Sequence, residues 1–179
     1  YIDGDLIVLS NVLSSLISSI VSSTGISLAV SLAVLVILTR RIGQSLVVIL
    51  PVGLAGSWVI GAMAILGINW NVLTVMITAL TIGLGIDYSI HVWRGFEENR
   101  RDGMDVWSAM RDMYATTGAS LLMSAGTTIC GFLVLLLSPI PVIQDFGMIS
   151  SISVAFSLIL ALLVLPGLLA SEVRTNNGN

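Results

Sequence analysis

Charge is what this chain has least of. Only 9% of its 179 residues are Asp, Glu, Lys or Arg, against about 25% in soluble domains. With 56% hydrophobic residues, that scarcity excludes a water-soluble protein with an apolar core and a polar surface. The single cysteine, Cys130, excludes an intrachain disulfide. No His/Cys/Asp/Glu cluster has metal-ligand spacing, so no metal site is expected. A basic patch suited to nucleic acid is missing too, and nothing in the chain calls for a cofactor. No nucleophile, base and orienting acid converge, so hydrolytic chemistry is not expected and the chain does not read as an enzyme. Tyr1-Ile-Asp-Gly-Asp5 lacks the basic start of a signal peptide. The chain therefore reads as beginning inside a longer protein.

What is present is a set of long apolar runs. Five segments, at about 18–39, 45–66, 71–93, 115–137 and 146–169, each approach the ~20 residues that cross a bilayer core. The fold class this predicts is all-α: a polytopic membrane protein of five transmembrane helices plus a short cytoplasmic interfacial helix. Residues 1–17 form the end of an extracytoplasmic region and the amphipathic start of the first helix, where Leu9, Val12, Leu13 and Leu16 alternate with serines. Residues 94–114 are a cytoplasmic connector and 171–179 a cytoplasmic tail.

The basic residues orient the bundle. All seven are arginines: Arg40, Arg41, Arg94, Arg100, Arg101, Arg111 and Arg174. They fall in the first-to-second-segment turn, the long connector and the tail, which five spans place on one side. The positive-inside rule makes that side cytoplasmic, with the N-terminus outside and the C-terminus inside a cell membrane. An outward N-terminus without its own signal implies a further span upstream. Within the connector Gly103 is a break, after which Asp105 caps a helix. That helix carries Val106, Trp107, Met110, Met113 and Tyr114 on one side and Arg111 and Asp112 on the other, a pattern suited to the headgroup layer.

One acid stands apart. Asp87 lies in Gly83-Leu-Gly-Ile-Asp-Tyr-Ser-Ile-His91, after a run from Asn71 to Ile86 without a charge. A carboxylate at mid-bilayer costs about 2.5–3.5 kcal/mol on insertion scales, so such a residue faces protein or a wet cavity and often marks an ion path. Removing water favours the neutral form of a carboxyl group, which suits a residue that takes up and releases protons. Gly83 and His91 lie one helical turn on either side of Asp87. Gly83 and Gly85 allow close helix approach, and Tyr88 can hydrogen-bond to a neighbouring helix. His91 sits near the inner membrane face, where an imidazole can pass protons onward, although an ordinary interfacial role suits it as well. On the fourth segment Ser124, Gly126, Thr127, Thr128 and Gly131 form a small hydroxyl-rich patch suited to helix packing.

The run Gly83 to His91 resembles the fourth-span Gly-x-x-x-Asp-Tyr motif of the resistance–nodulation–division superfamily, its MMPL-type lipid and hydrophobe exporters in particular. The resemblance continues through Glu97-Glu98, Thr127-Thr128-x-x-Gly131-Phe132, Ser138-Pro139, Asp145-Phe146-Gly147 and Leu163-Val-Leu-Pro166. It implies a half-transporter of five spans, similar to the sterol-sensing-domain unit of Patched-like proteins. Proton flow through Asp87 and Tyr88, with His91 as a further candidate, would drive the export of lipids or other hydrophobic molecules. The partners so implied are membrane lipid, a hydrophobic substrate and either the remaining half of the parent or a second copy. Two alternatives are a sterol-sensing-like lipid-binding module without transport and a SecD/SecF-like protein-export accessory.

Overall fold

A computed structural model describes residues 2–40, 42–68 and 72–176. Its helices are α1 (Ile2–Thr39), α2 (Ile42–Leu66), α3 (Val72–Arg101), α4 (Val106–Met113), α5 (Ala119–Val134) and α6 (Pro141–Asn176). A π-helical turn, Tyr114–Gly118, joins α4 to α5, and a 3-10 turn, Leu135–Leu137, ends α5. No strand occurs among the described residues. The protein is an all-helical, multi-pass membrane protein, as the apolar runs predict.

Its helices are apolar on nearly every side. On α2, Val48, Val52, Ala55, Val59 and Met63 recur at helical spacing and are buried, while Leu46, Leu50, Leu54 and Trp58 on the opposite side are exposed. In water such a surface would aggregate; in hydrocarbon it costs nothing. Among the described residues, four stretches are long and apolar enough to cross a membrane: Ile42–Leu66, Met76–Arg101, Val106–Leu137 and Pro141–Ser171. A shorter apolar stretch, Gly25–Thr39, lies in α1.

The turns follow from local chemistry. Gly67 and Gly103 both have positive φ, 66° and 87°, and each ends a helix. Ile68 N–H donates to Met63 O at 3.1 Å, and Met104 N–H to Asn99 O at 3.2 Å. Both are six-to-one closures that satisfy carbonyls orphaned at a helix end. Gly103 thus breaks the chain where the sequence places a break. Asp105 then caps α4, its carboxylate accepting from Trp107 N–H at 3.2 Å. The short connector helix exists, but it runs on through the π turn into α5 as one rod. Met110 and Met113 pack into the core with Ala109, while Trp107 stays exposed.

α3 and α6 form the centre of the bundle. α3 packs on α1, α2, α4 and α6, whereas α5 leans chiefly on α6. Two contacts between α3 and α6 share one register. Thr81 Oγ1 lies 2.5 Å from Ser153 Oγ, and a Cβ built on Gly85 would lie 3.5 Å from Ser157 Oγ. Both pairs are 72 residues apart, so the two helices run parallel. Tyr114 OH donates to Leu162 O of α6 at 2.7 Å. That carbonyl is the one Pro166, lacking an N–H, leaves without its helical donor. The tyrosine therefore supplies the missing bond and ties the π turn to the proline site.

Candidate functional site

α3 presents two different sides. Ile82, Gly85, Ile86, Ser89, Val92 and Trp93 face the bundle and are buried. Gly83, Asp87, His91, Arg94 and Glu98 recur every three or four residues and are exposed, as is Met76 two turns before Gly83. They make one continuous stripe, apolar at its start and increasingly polar toward the arginine-rich end. Asp87 lies midway along it, with His91 one turn further on.

No described helix of this chain covers the stripe. Asp87 has no hydrogen-bond or ion-pair partner among the described residues. The interior environment expected for the acid is thus not supplied by this chain itself, because the side of α3 that bears it points away from α1, α2 and α6. Tyr88, a 100° step round the helix, turns into the core and is 5% exposed. The structure therefore places Asp87 and His91 on one side and Tyr88 on another.

The glycines of the motif differ in the same way. A Cβ on Gly83 would meet nothing within 4 Å, whereas one on Gly85 would lie 3.3 Å from Val52 Cγ1. Close helix approach occurs at Gly85. On α5, Thr127 and Thr128 both turn their hydroxyls onto Ser124 O, at 2.8 and 3.0 Å. A Cβ on Gly131 would find open space. Since α5 leans on α6, this patch is not brought to Asp87.

Tight approaches arise instead at Gly95 and Gly147, whose packing role sequence reasoning did not single out. A Cβ on Gly95 would fall 2.6 Å from Thr117 Oγ1, and one on Gly147 would fall 2.6 Å from Phe132 O. Only Gly147 carried a hint, as part of the Asp145-Phe-Gly run at the start of a span.

Concavities lie on two sides of α3. At the arginine-rich end a pocket of about 410 Å³ is lined by Leu38, Ile90, Trp93, Arg94, Glu98 and Asp102 among others. Arg101 pairs with Glu97 at 3.5 Å on its rim. Between α1, α2 and α3 lies a smaller, almost wholly apolar groove of about 150 Å³, opened by Gly53 and Gly56 and walled by Leu28, Ile60 and Ile82. No group of three or more potential metal ligands occurs among the described residues.

The sequence pattern of the MMPL family matches residues 1–176. The membrane protein MJ1562 of Methanocaldococcus jannaschii is 36% identical over 140 residues, which is 78% of this chain and 36% of that protein. Human Protein patched homolog 2 is 28% identical over 127 residues, 70% of this chain and 10% of its own length. The sulfolipid-1 exporter MmpL8 of Mycobacterium tuberculosis is 24% identical over 147 residues, 78% of this chain and 14% of that protein. The chain thus spans between a tenth and about a third of the relatives it matches.

Proposed function

The chain belongs to the MMPL family, and from that membership we propose that it forms the transmembrane module of a proton-driven exporter of lipids or other hydrophobic molecules. Asp87 is the protonatable centre, His91 a relay toward the cytoplasm, and Tyr88 a hydrogen-bonding neighbour reaching into the core. The single observation that carries the reading is an acid at mid-helix on a side its own bundle leaves uncovered. The charged form costs about 2.5–3.5 kcal/mol in hydrocarbon, so a second set of helices must shield it. The other half of the parent protein, or a second copy, is that shield. Protonation removes the cost, which is enough to shift an equilibrium between two helix arrangements by roughly two orders of magnitude. MmpL8, a sulfolipid exporter by name, supports a lipid-like substrate. The arginine-rich end faces the cytoplasm of a cell membrane.

The test uses the whole protein in vesicles with an imposed pH gradient. Asp87→Asn should abolish proton uptake and gradient-driven export, and Asp87→Glu should restore part of both. Export undiminished in Asp87→Asn would refute the relay.

A second reading draws on the groove between α1, α2 and α3 and on the Patched relatives. In it the module binds a sterol or isoprenoid lipid without moving it. Co-purification of such a lipid, its loss in Gly56→Leu, and indifference to Asp87→Asn would favour it.

A further inference from the structure

The seam between α3 and α6 contains an anomaly that neither the stripe nor the groove explains. It is lined with hydroxyls and a glycine at nearly every turn: Thr78, Thr81, Gly85 and Ser89 on α3, and Ser150, Ser153 and Ser157 on α6. All of these residues are buried. In the shared register Ser150 comes level with Thr78, Ser153 with Thr81, Ser157 with Gly85, and Ser89 with Ala161. One bond closes the seam, Thr81 to Ser153 at 2.5 Å, with Thr81 Oγ1 also donating to Ile77 O at 2.7 Å. The hydroxyls of Ser89, Ser150 and Ser157 are fully shielded and have no hydrogen-bond partner.

Buried polar groups in native proteins are almost always paired, with protein or with ordered water. Three unpaired ones along a single interface, at bilayer depth, call for an occupant. We infer that the α3–α6 seam is a binding site for ordered water, held by Ser89, Ser150 and Ser157. Two features select water over an ion. The seam bears no carboxylate, for Asp87 lies on the opposite side of α3, so a cation would find only neutral oxygens. A hydroxyl both donates and accepts, which suits a small neutral molecule that does the same. Gly85 lets the two helices close on Ser157: the Cβ it lacks would sit 3.5 Å from Ser157 Oγ and a tight 3.3 Å from Val52 Cγ1. From Thr78 to Ser89 the seam runs about 16 Å at ~1.5 Å per residue. It gives the helix that bears Asp87 a hydrated back, whether or not that acid carries protons.

X-ray radiolytic footprinting of the full chain in lipid nanodiscs tests this, since radicals born from bound water mark the apolar side chains beside it. Wild-type protein should be oxidised at Val52, although that residue is 1% exposed, and fully buried Leu165 should stay unmarked. Gly85→Ala, whose methyl would crowd Val52 and the Ser157 hydroxyl, and Ser157→Ala should both abolish the mark. Ser157→Ala, Ser89→Ala and Ser150→Ala should each lower Tm by roughly 2–4 °C, because each strands a water. A clean Val52 in wild type overturns the inference, as does a mark that persists in both variants. Serine-to-alanine changes that leave Tm unchanged or raise it do the same, for they describe dry hydroxyls. The wild-type reading requires no variant to fold.

Discussion

At the scale of single residues, the glycines separate by what an added methyl group would strike. At Gly147 the obstacle is backbone, Phe132 O at 2.6 Å, together with Leu135 Cβ at 2.7 Å. Neither can swing aside, so Gly147→Ala must push α6 away from the end of α5. We expect a loss of about 1–3 kcal/mol, read as a lower unfolding temperature in detergent, while Gly83→Ala and Gly131→Ala leave that temperature within a degree or so. At Gly95 the obstacle is the hydroxyl of Thr117, a side chain, and Thr117→Ala in the same molecule should recover most of what Gly95→Ala loses. Sequence alone marks a glycine as small but does not reveal which way it points. That is why Gly83 and Gly85, two residues apart in one motif, read alike although only Gly85 meets a neighbour.

At the scale of elements, the starts and stops were legible where a residue has a special local job. Gly103 ends α3 by adopting φ 87°, and Asp105 begins α4 as its cap. The Asp105 carboxyl is held below the usual carboxylate range, chiefly by a hydrogen bond from the Ser108 side chain and also by backbone N–H groups, against a smaller opposing effect of burial. A depressed value in the folded state means that the cap stabilises above the ordinary carboxylate range, near pH ~3.9, and that this support is lost as pH falls through the depressed value. The protection of the Trp107 and Ser108 amides, measured against the intrinsic exchange rate at each pH, should therefore be lost on strong acidification, and Asp105→Ala should show the same loss at neutral pH. The π turn was not legible. Nothing in Tyr114-Ala-Thr-Thr-Gly118 departs from an α-helical pattern, and its stabilising bond reaches a carbonyl 48 residues away. Tyr114→Phe should remove that bond and cost about 0.6–2 kcal/mol, with exchange quickening around Leu162 and Pro166 on α6 as well as in the π turn itself.

At the scale of the whole molecule, hydrophobic run length was enough to predict the class of fold. Helix ends were harder to read, because charged turns can extend a helix past the hydrocarbon at little cost; α3 continues to Arg101, beyond the apolar limit near residue 93. Which sides of the helices stay uncovered could not be read at all, since every side is apolar enough to be buried. The orientation proposed from the arginines has its own check. Asp102→Cys, in a Cys130→Ser background, should react with a membrane-impermeant thiol reagent in inverted vesicles and not in intact cells; the reverse pattern would invert the assignment.

The π turn carries a further consequence for how such a bundle can change over generations. Each residue of an α-helix advances the chain by about 100°, so losing one position within Tyr114–Gly118 would spin all of α5 by that amount. Leu122 and Gly126 would then occupy the places against α6 now held by Leu121 and Ala125, exchanging the greasy exterior for a new internal contact surface. A single codon deletion there would re-key an entire rod while leaving every side chain on it unchanged.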